Sequence, residues 1–208
     1  MFNLNYQAPR PIHVPLTVNR QRAVLEHYIQ PETKLEQILL MDPAWLRGAF
    51  WGKPRPGHPE GQILFHIQDI LANINAVNFS ADVRQDLRLV AIIHDTFKYL
   101  EENQRPRRDW SKHHAAIAKR FAKNYLSDER LLQLIALHDE AYYAWRFWQK
   151  GREDEAENKL AQTFKQLGAE NKQLFYNFFK CDTWTGNKTQ QPIAWFENKV
   201  KDIDTFQF

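Results

Sequence analysis

The stretch LVAIIHDTFKYL, residues 89–100, carries five aliphatic residues, Leu89 to Ile93, straight into His94-Asp95. A run of this kind belongs in a hydrophobic interior, so the histidine and the aspartate enter the core at the end of a buried helix. An ionised aspartate is costly there unless it is paired or metal-bound. Neighbouring residues on a helix point about 100° apart, so both can serve one ion only if it lies between their directions. That suits an aspartate that reaches one metal and bridges to a second. Lys98, four residues after His94 and three after Asp95, is placed on the same helix face.

Outward from this stretch the apolar spacing is helical almost throughout. The helix itself reads as 82–101, with Ser80 and Asp82 as N-cap candidates. Upstream, residues 60–77 (EGQILFHIQDILANINAV) follow Pro59 and carry a stripe of Ile63, Ile67, Ile70, Leu71 and Ile74. Residues 52–59 hold three prolines and two glycines and read as a loop. Two earlier helical segments, 20–29 and 32–41, are punctuated by Pro31 and Pro43. Residues 1–18 form an extended lead-in, since Pro9, Pro11 and Pro15 exclude a helix. Downstream, 111–125 and 128–148 are helical, the second capped by Ser127 or Asp128. An amphipathic helix at 153–166 ends before Gly168. Two more helices, 170–182 and 191–203, close the chain. Few segments alternate with period two, and no repeat is present. The expected fold class is all-α: a lead-in with packing helices over 1–56, a core over 57–185, and a C-terminal helix over 186–208 that belongs to the same domain.

Composition bounds the chemistry. The chain has 208 residues, fitting a single domain that buries roughly 70% of its unfolded surface. One cysteine excludes a disulfide framework and a four-cysteine zinc site, and points weakly to a reducing, cytoplasmic home. With 28 basic and 25 acidic residues the net charge is +3, too balanced for a nucleic-acid coat or a polybasic membrane binder. The longest aliphatic run falls far short of the roughly 20 residues a bilayer needs, and the opening MFNLNYQAPRP lacks the apolar stretch of a signal peptide. Only 7 glycines argue against a phosphate loop, whereas 8 histidines stand out. Any metal must therefore be held by imidazole and carboxylate.

Four of those histidines, His66, His94, His114 and His138, sit among apolar neighbours in helical segments, and Asp182 ends the stretch LFYNFFKCD. One such histidine alone is more often a hydrogen-bonded core residue than a ligand; that reading weakens when it must hold repeatedly. The order His66, His94-Asp95, His114, His138, Asp182 resembles the HD-domain superfamily of metal-dependent phosphohydrolases. That family is defined by His…His-Asp…Asp, with added histidines in its two-metal branches. Locally, GHPEGQILFH (57–66) is similar to the start of the HD region in bacterial tRNA nucleotidyltransferases and their standalone relatives. HDTFKY (94–99) resembles HD-x-G-K, with Phe97 in the glycine position and Lys98 in the lysine position. HHAAIA (113–118) resembles H-x-x-I-G, which selects His114 over His113, and LIALHD (134–139) resembles the later helix histidine. The likeness covers about residues 57–185. The nucleotidyltransferase domain is missing and no Gly-Tyr-Pro follows His138, so neither tRNA end-building nor cyclic di-GMP hydrolysis is inherited.

The resemblance implies one or two divalent ions, with Mn, Fe, Mg or Zn all compatible with these donors. His66, His94, Asp95 and Asp182 would hold the first; His114 and His138 would complete a second, bridged by Asp95. A metal lowers the pKa of water towards neutrality, so Asp95 and Lys98 would serve catalysis without a protein nucleophile. Lys98, Arg108 and Lys112 are the candidate phosphate binders, the last two from a basic stretch that also holds Arg105, Arg107, Lys119, Arg120 and Lys123. Cys181 reads as a small buried thiol. Weaker candidates are Glu60, Gln62, His58, Asp69 as a hydrogen-bond partner of His66, and Asp139 as a surface carboxylate. Of Trp110, Tyr142, Tyr143, Trp145, Trp148 and Trp184, most are expected in the core, with one or two free to stack a base. The expected activity is hydrolysis of a phosphate ester, foremost of a nucleotide, with no membrane partner. The alternatives are a nucleotide- or metal-binding regulatory module and an RNA-associated protein.

Overall fold

The computed structural model describes residues 9, 12, 18–103 and 109–208. Most of the lead-in, and Arg105, Arg107 and Arg108 with it, therefore lie outside the described residues. Every regular element among the described residues is helical, as the all-α reading expects. In chain order these are α1 (Val18–Tyr28), α2 (Lys34–Leu40), α3 (Pro43–Ala49), α4 (Ile63–Ala76), α5 (Ala81–Ile93) and α6 (Lys98–Glu102), then α7 (His114–Ala122), α8 (Glu129–Leu137), α9 (Glu140–Trp148), α10 (Glu153–Leu167), α11 (Lys172–Thr183) and α12 (Gln191–Lys199). Short 3-10 turns precede α7 and α11.

Helix ends follow local chemistry. Pro43 opens α3 rather than merely interrupting the chain. Asp42 caps that helix, accepting from the N–H groups of Ala44 at 2.7 Å and Trp45 at 3.2 Å, and proline is well tolerated in a first turn. The helix expected from residue 60 begins at Ile63, because Gly61 takes φ +76°, where an added Cβ would lie 2.8 Å from the Pro54 ring. Ser80, not Asp82, caps α5, and Asp128, not Ser127, caps α8. The segments expected as single helices, 82–101 and 128–148, each break in two, at His94 to Phe97 and at His138-Asp139. The last helix stops at Lys199 rather than 203. Beyond it the chain returns to α11, where the buried Lys180 ammonium bonds to Glu197 at 2.7 Å and to the Phe206 carbonyl.

The centre of the molecule is built from α4, α5, α8 and α11, which pack on one another. Leu89 to Ile93 are all buried, and face Ile67, Ile70 and Ile74 of α4 and the aromatic face of α11 within one continuous core. α9 and α10 pack as a pair beside this centre, and α12 lies on α9. The N-terminal helices are tied to α5 by a buried ion pair. Arg88 donates from Nε and Nη2 to the two oxygens of Glu36, each at 2.9 Å, and reaches the Gln30 carbonyl. The expected core aromatics are largely misplaced. Trp110, Tyr142, Trp148 and Trp184 are exposed, at 63, 37, 38 and 44%. Trp145 is buried, but the core is filled instead by Trp45, Phe65, Phe175, Tyr176, Phe178 and Phe196.

α3 buttresses the end of α5. The Trp45 indole donates to the Ile92 carbonyl at 2.7 Å. Gly48 lets the Thr96 backbone dock directly on the helix: a Cβ there would fall 1.6 Å from the Thr96 carbonyl oxygen. No helix among the described residues is long and apolar enough to cross a membrane.

Candidate metal centre

α5 ends at Ile93, and His94 caps it, its N–H still reaching Val90 at 2.9 Å. The chain then tightens into a turn, with the Thr96 N–H on Ile93 at 3.3 Å and the Lys98 N–H on Asp95 at 3.1 Å. Lys98 thus meets Asp95 across this turn, at the first residue of α6, and not along a shared helix face. Its ammonium pairs directly with Asp95 Oδ2. His66 is the fourth residue of α4, His114 opens α7, His138 follows the last residue of α8, and Asp182 lies in the last turn of α11. All four histidines and Asp95 are buried.

These side chains converge on two adjoining positions. On one side, His66 Nε2 lies 2.9 Å from Asp182 Oδ1 and 3.5 Å from Asp95 Oδ2, and His94 Nε2 lies 3.4 Å from Asp95 Oδ2. On the other, Asp95 Oδ1 lies 3.3 Å from His114 Nε2 and 3.4 Å from His138 Nε2, and those two nitrogens are 3.3 Å apart. Asp95 therefore presents one oxygen to each side. The six residues singled out by the sequence, His66, His94, Asp95, His114, His138 and Asp182, are brought together.

The outer ring nitrogens explain the orientation. His94 Nδ1 donates to the Ala91 carbonyl at 3.0 Å, and His138 Nδ1 to that of Ile135 at 2.8 Å. A carbonyl only accepts, so each Nδ1 carries a proton and each Nε2 is the nitrogen turned inward. His114 Nδ1 meets Glu101, and His66 Nδ1 faces Thr185 at 3.4 Å and Glu60 at 3.7 Å. Metal-ligating histidines are held in this manner by their second nitrogen. Meanwhile His66 Nε2, His94 Nε2 and Asp95 Oδ1 are buried with no hydrogen-bond partner. Orphaned buried polar atoms are rare and costly; the two imidazole nitrogens face one side of the cluster and Asp95 Oδ1 the other. His66, His94 and Asp182 form one group whose ligand atoms lie within 4.8 Å of one another, and His94, Asp95 and His138 another. The donor set fits a divalent cation.

Electrostatics prepares the donors. Burial opposes the Asp95 charge, but Lys98, His94 and the facing rings of His114 and His138 outweigh it and hold the carboxyl well below the usual range. Burial likewise opposes the charge on Asp182, and Lys188 and His66 overcome it. Burial, then the Lys188 charge, pushes His66 down to about 4, so its ring is neutral at pH 7. The Cys181 thiol is buried and pushed up to about 12, which makes it inert as a nucleophile.

No family model, no curated protein and no solved structure matches the chain. What the residues establish is a helical fold with buried His, Asp and Glu groups able to hold a divalent metal.

Other candidates sort differently. Lys112 is exposed on the turn before α7, and Arg108 lies outside the described residues. Among the described residues, the cations that face the cluster are Lys98, Lys188, 3.2 Å from Asp182 Oδ1, and Arg55. Glu60, not Asp69, is the carboxylate facing the free nitrogen of His66. It also takes His58 Nδ1 at 2.8 Å. Gln62 is a loop-to-loop tie, bonding Phe50 and Ile12. His113 caps its own helix through Ala115. Phe97 sits at φ −103°, where any residue is accommodated, and its buried ring packs on Phe121 at 4.8 Å. The sequence reading undervalued Asp139, placed here inside the cluster, and missed Glu101, Thr185 and Lys188 altogether. Only Asp139 carried a signal: it follows His138 as Asp95 follows His94.

Two cavities open onto the cluster. One, about 320 Å³, is bordered by His58, Asp95, Lys98, Asp139, Asp182 and Lys188. The other, about 330 Å³, is bordered by Trp51, Arg55, Glu101, His114, Tyr142 and Tyr143. Lys98, Asp139 and Tyr142 line both.

Proposed function

We propose that the protein is an HD-type metal-dependent phosphohydrolase that cleaves a phosphate ester, foremost of a nucleotide. The observation that carries this is the placement of Asp95 between four inward-facing imidazole Nε2 atoms, with one carboxylate oxygen towards each pair. His66, His94, Asp95 and Asp182 would hold one ion, and His114 and His138, bridged by Asp95, a second. Bound there, a divalent metal supplies Lewis acidity, activating water at neutral pH and neutralising phosphoryl charge.

The chain's own groups supply the rest. Lys98 reaches both cavities and pairs with Asp95, so its ammonium can hold a phosphoryl oxygen while fixing the carboxylate. Lys188 and Arg55 add positive charge, one in each cavity. Trp51, Tyr142 and Tyr143 give the second cavity aromatic faces on which a base can stack. Burial of the ligands excludes bulk water and strengthens each of these electrostatic contacts. The buried, protonated Cys181 leaves no competing thiol chemistry.

The test is phosphate release from a panel of nucleotides and simple phosphate esters, with protein purified free of chelators and supplied with Mn, Fe, Mg or Zn. The double variant His94→Ala/Asp95→Ala should lose more than about 100-fold in rate, the scale that outer-sphere changes alone can reach. Retained activity in that variant, or no release from wild type with any metal, would overturn the reading.

A further inference from the structure

We infer that Asp139 is a metal ligand, completing with His114, His138 and Asp95 Oδ1 a second cation site, so that the centre takes two divalent ions. Each ion then meets two imidazoles and two carboxylates, with Asp95 shared: His66, His94 and Asp182 on one side, His114, His138 and Asp139 on the other. This rests on the reading above that the cluster holds metal.

Geometry is the first support. Asp139 Oδ2 lies 3.2 Å from His114 Nε2 and 3.6 Å from His138 Nε2, and the ligand atoms of these three residues lie within 4.8 Å of one another. His114 Nδ1 is already taken by Glu101, so Asp139 meets the nitrogen that points into the cluster. The second support is what Asp139 does not do. It occupies the N-cap position of α9, where an aspartate normally accepts an N–H from the first turn. Here its backbone is at φ −82°, ψ −11°, and its side chain makes no cap bond. Instead it turns into the cluster, where the Tyr143 hydroxyl, one turn further along α9, approaches Oδ2 at 3.5 Å. The third support is Asp95 Oδ1, which is buried, faces this side and has no hydrogen-bond partner. A cation between these atoms would satisfy it.

Charge agrees. Without Asp139, the second ion would share the single carboxylate of Asp95 with the first. With it, three carboxylates face two divalent ions, leaving a net positive centre for a phosphate. The mixed imidazole and carboxylate set suits Mn, Fe or Zn.

Metal content and Mn titration test this directly. Wild-type protein should take two equivalents of Mn per chain. Asp139→Asn should keep one and weaken the second at least about 10-fold, while Asp182→Asn weakens the other equivalent. Two equivalents with unchanged affinity in Asp139→Asn would overturn the inference and leave the proposed function standing. One equivalent in wild type would do the same, and none would overturn both. Should Asp139→Asn fail to fold, wild-type crystals grown with Zn decide. A carboxylate oxygen of Asp139 at about 2.0–2.2 Å from a second anomalous peak supports it; a carboxylate turned away from that peak overturns it.

Discussion

Glu101 accepts twice from His114 through one oxygen, from the backbone N–H at 3.1 Å and from ring Nδ1. Burial opposes its charge, but the hydrogen bonds from His114 prevail and hold the carboxyl at about 2. It therefore fixes where the His114 ring sits and makes Nε2 more basic. Replacing Glu101 by Gln keeps the shape and removes the charge. Metal affinity on the His114 side should fall about 10–100-fold, as for other outer partners of ligating histidines, with little change on the His66 side. Equal affinity in a Mn titration of the variant would show that Glu101 merely fills space. The choice of His114 over its neighbour was legible in HHAAIA, and His113 indeed spends its Nδ1 on the Ala115 N–H. Glu101 itself was not legible. It lies 13 residues earlier, and no periodicity links a short helix to a ring on another element.

At the scale of elements, the apolar pattern located the helices well and their ends poorly. Period 3.6 continues through 82–101 and 128–148 because buried residues recur after each break, Tyr99 after the first and Ala141, Ala144 and Trp145 after the second, so burial alone gives no sign of a turn. What interrupts both helices is a His-Asp pair. α3 was illegible for another reason: seven residues opening on a proline resemble punctuation, and only the Asp42 cap reveals a helix. Yet α3 holds the turn that carries His94-Asp95. Gly48→Ala puts a methyl group where the Thr96 carbonyl lies, so helix and turn must separate. Overpacking of this kind costs about 1–3 kcal/mol, readable as a lower denaturation midpoint. Metal affinity should fall with it, since the displaced turn carries two ligands. An alanine variant with unchanged midpoint and unchanged metal binding would mean that the turn is not braced there.

For the whole molecule, a proton and a metal compete for the same nitrogens. Without metal, burial opposes the charged form of His114, but Asp139, Asp95 and Glu101 prevail and raise it from 6.5 to about 10. A raised value in the folded state stabilises below pH 6.5, and that stabilisation drains away as the pH climbs towards 10. His66 behaves oppositely. Its value of about 4 means that the unfolded chain binds more protons between there and 6.5, so stability falls as the pH drops through that range. The contribution of these two rings therefore peaks near pH 6.5 in chelator-treated protein. A bound cation replaces the His114 proton, and the Tm of metal-loaded protein should stay level on raising the pH from about 7 to about 9 while that of the stripped protein declines. Parallel Tm curves for the two forms would refute the competition.

His94 and His138 each follow the final residue of a helix, and His114 opens one. Chain length is thereby constrained unevenly. One residue inserted into α5 or α8 would swing the imidazole at its end by about 100° and strand it facing the core, whatever residue was added. At Gly151, where an added Cβ would meet nothing within 4 Å, an insertion only lengthens an open turn. Over evolutionary time, insertions and deletions in such a chain would gather in turns of that kind, and the spans of α5 and α8 would stay fixed even while their aliphatic residues interchange.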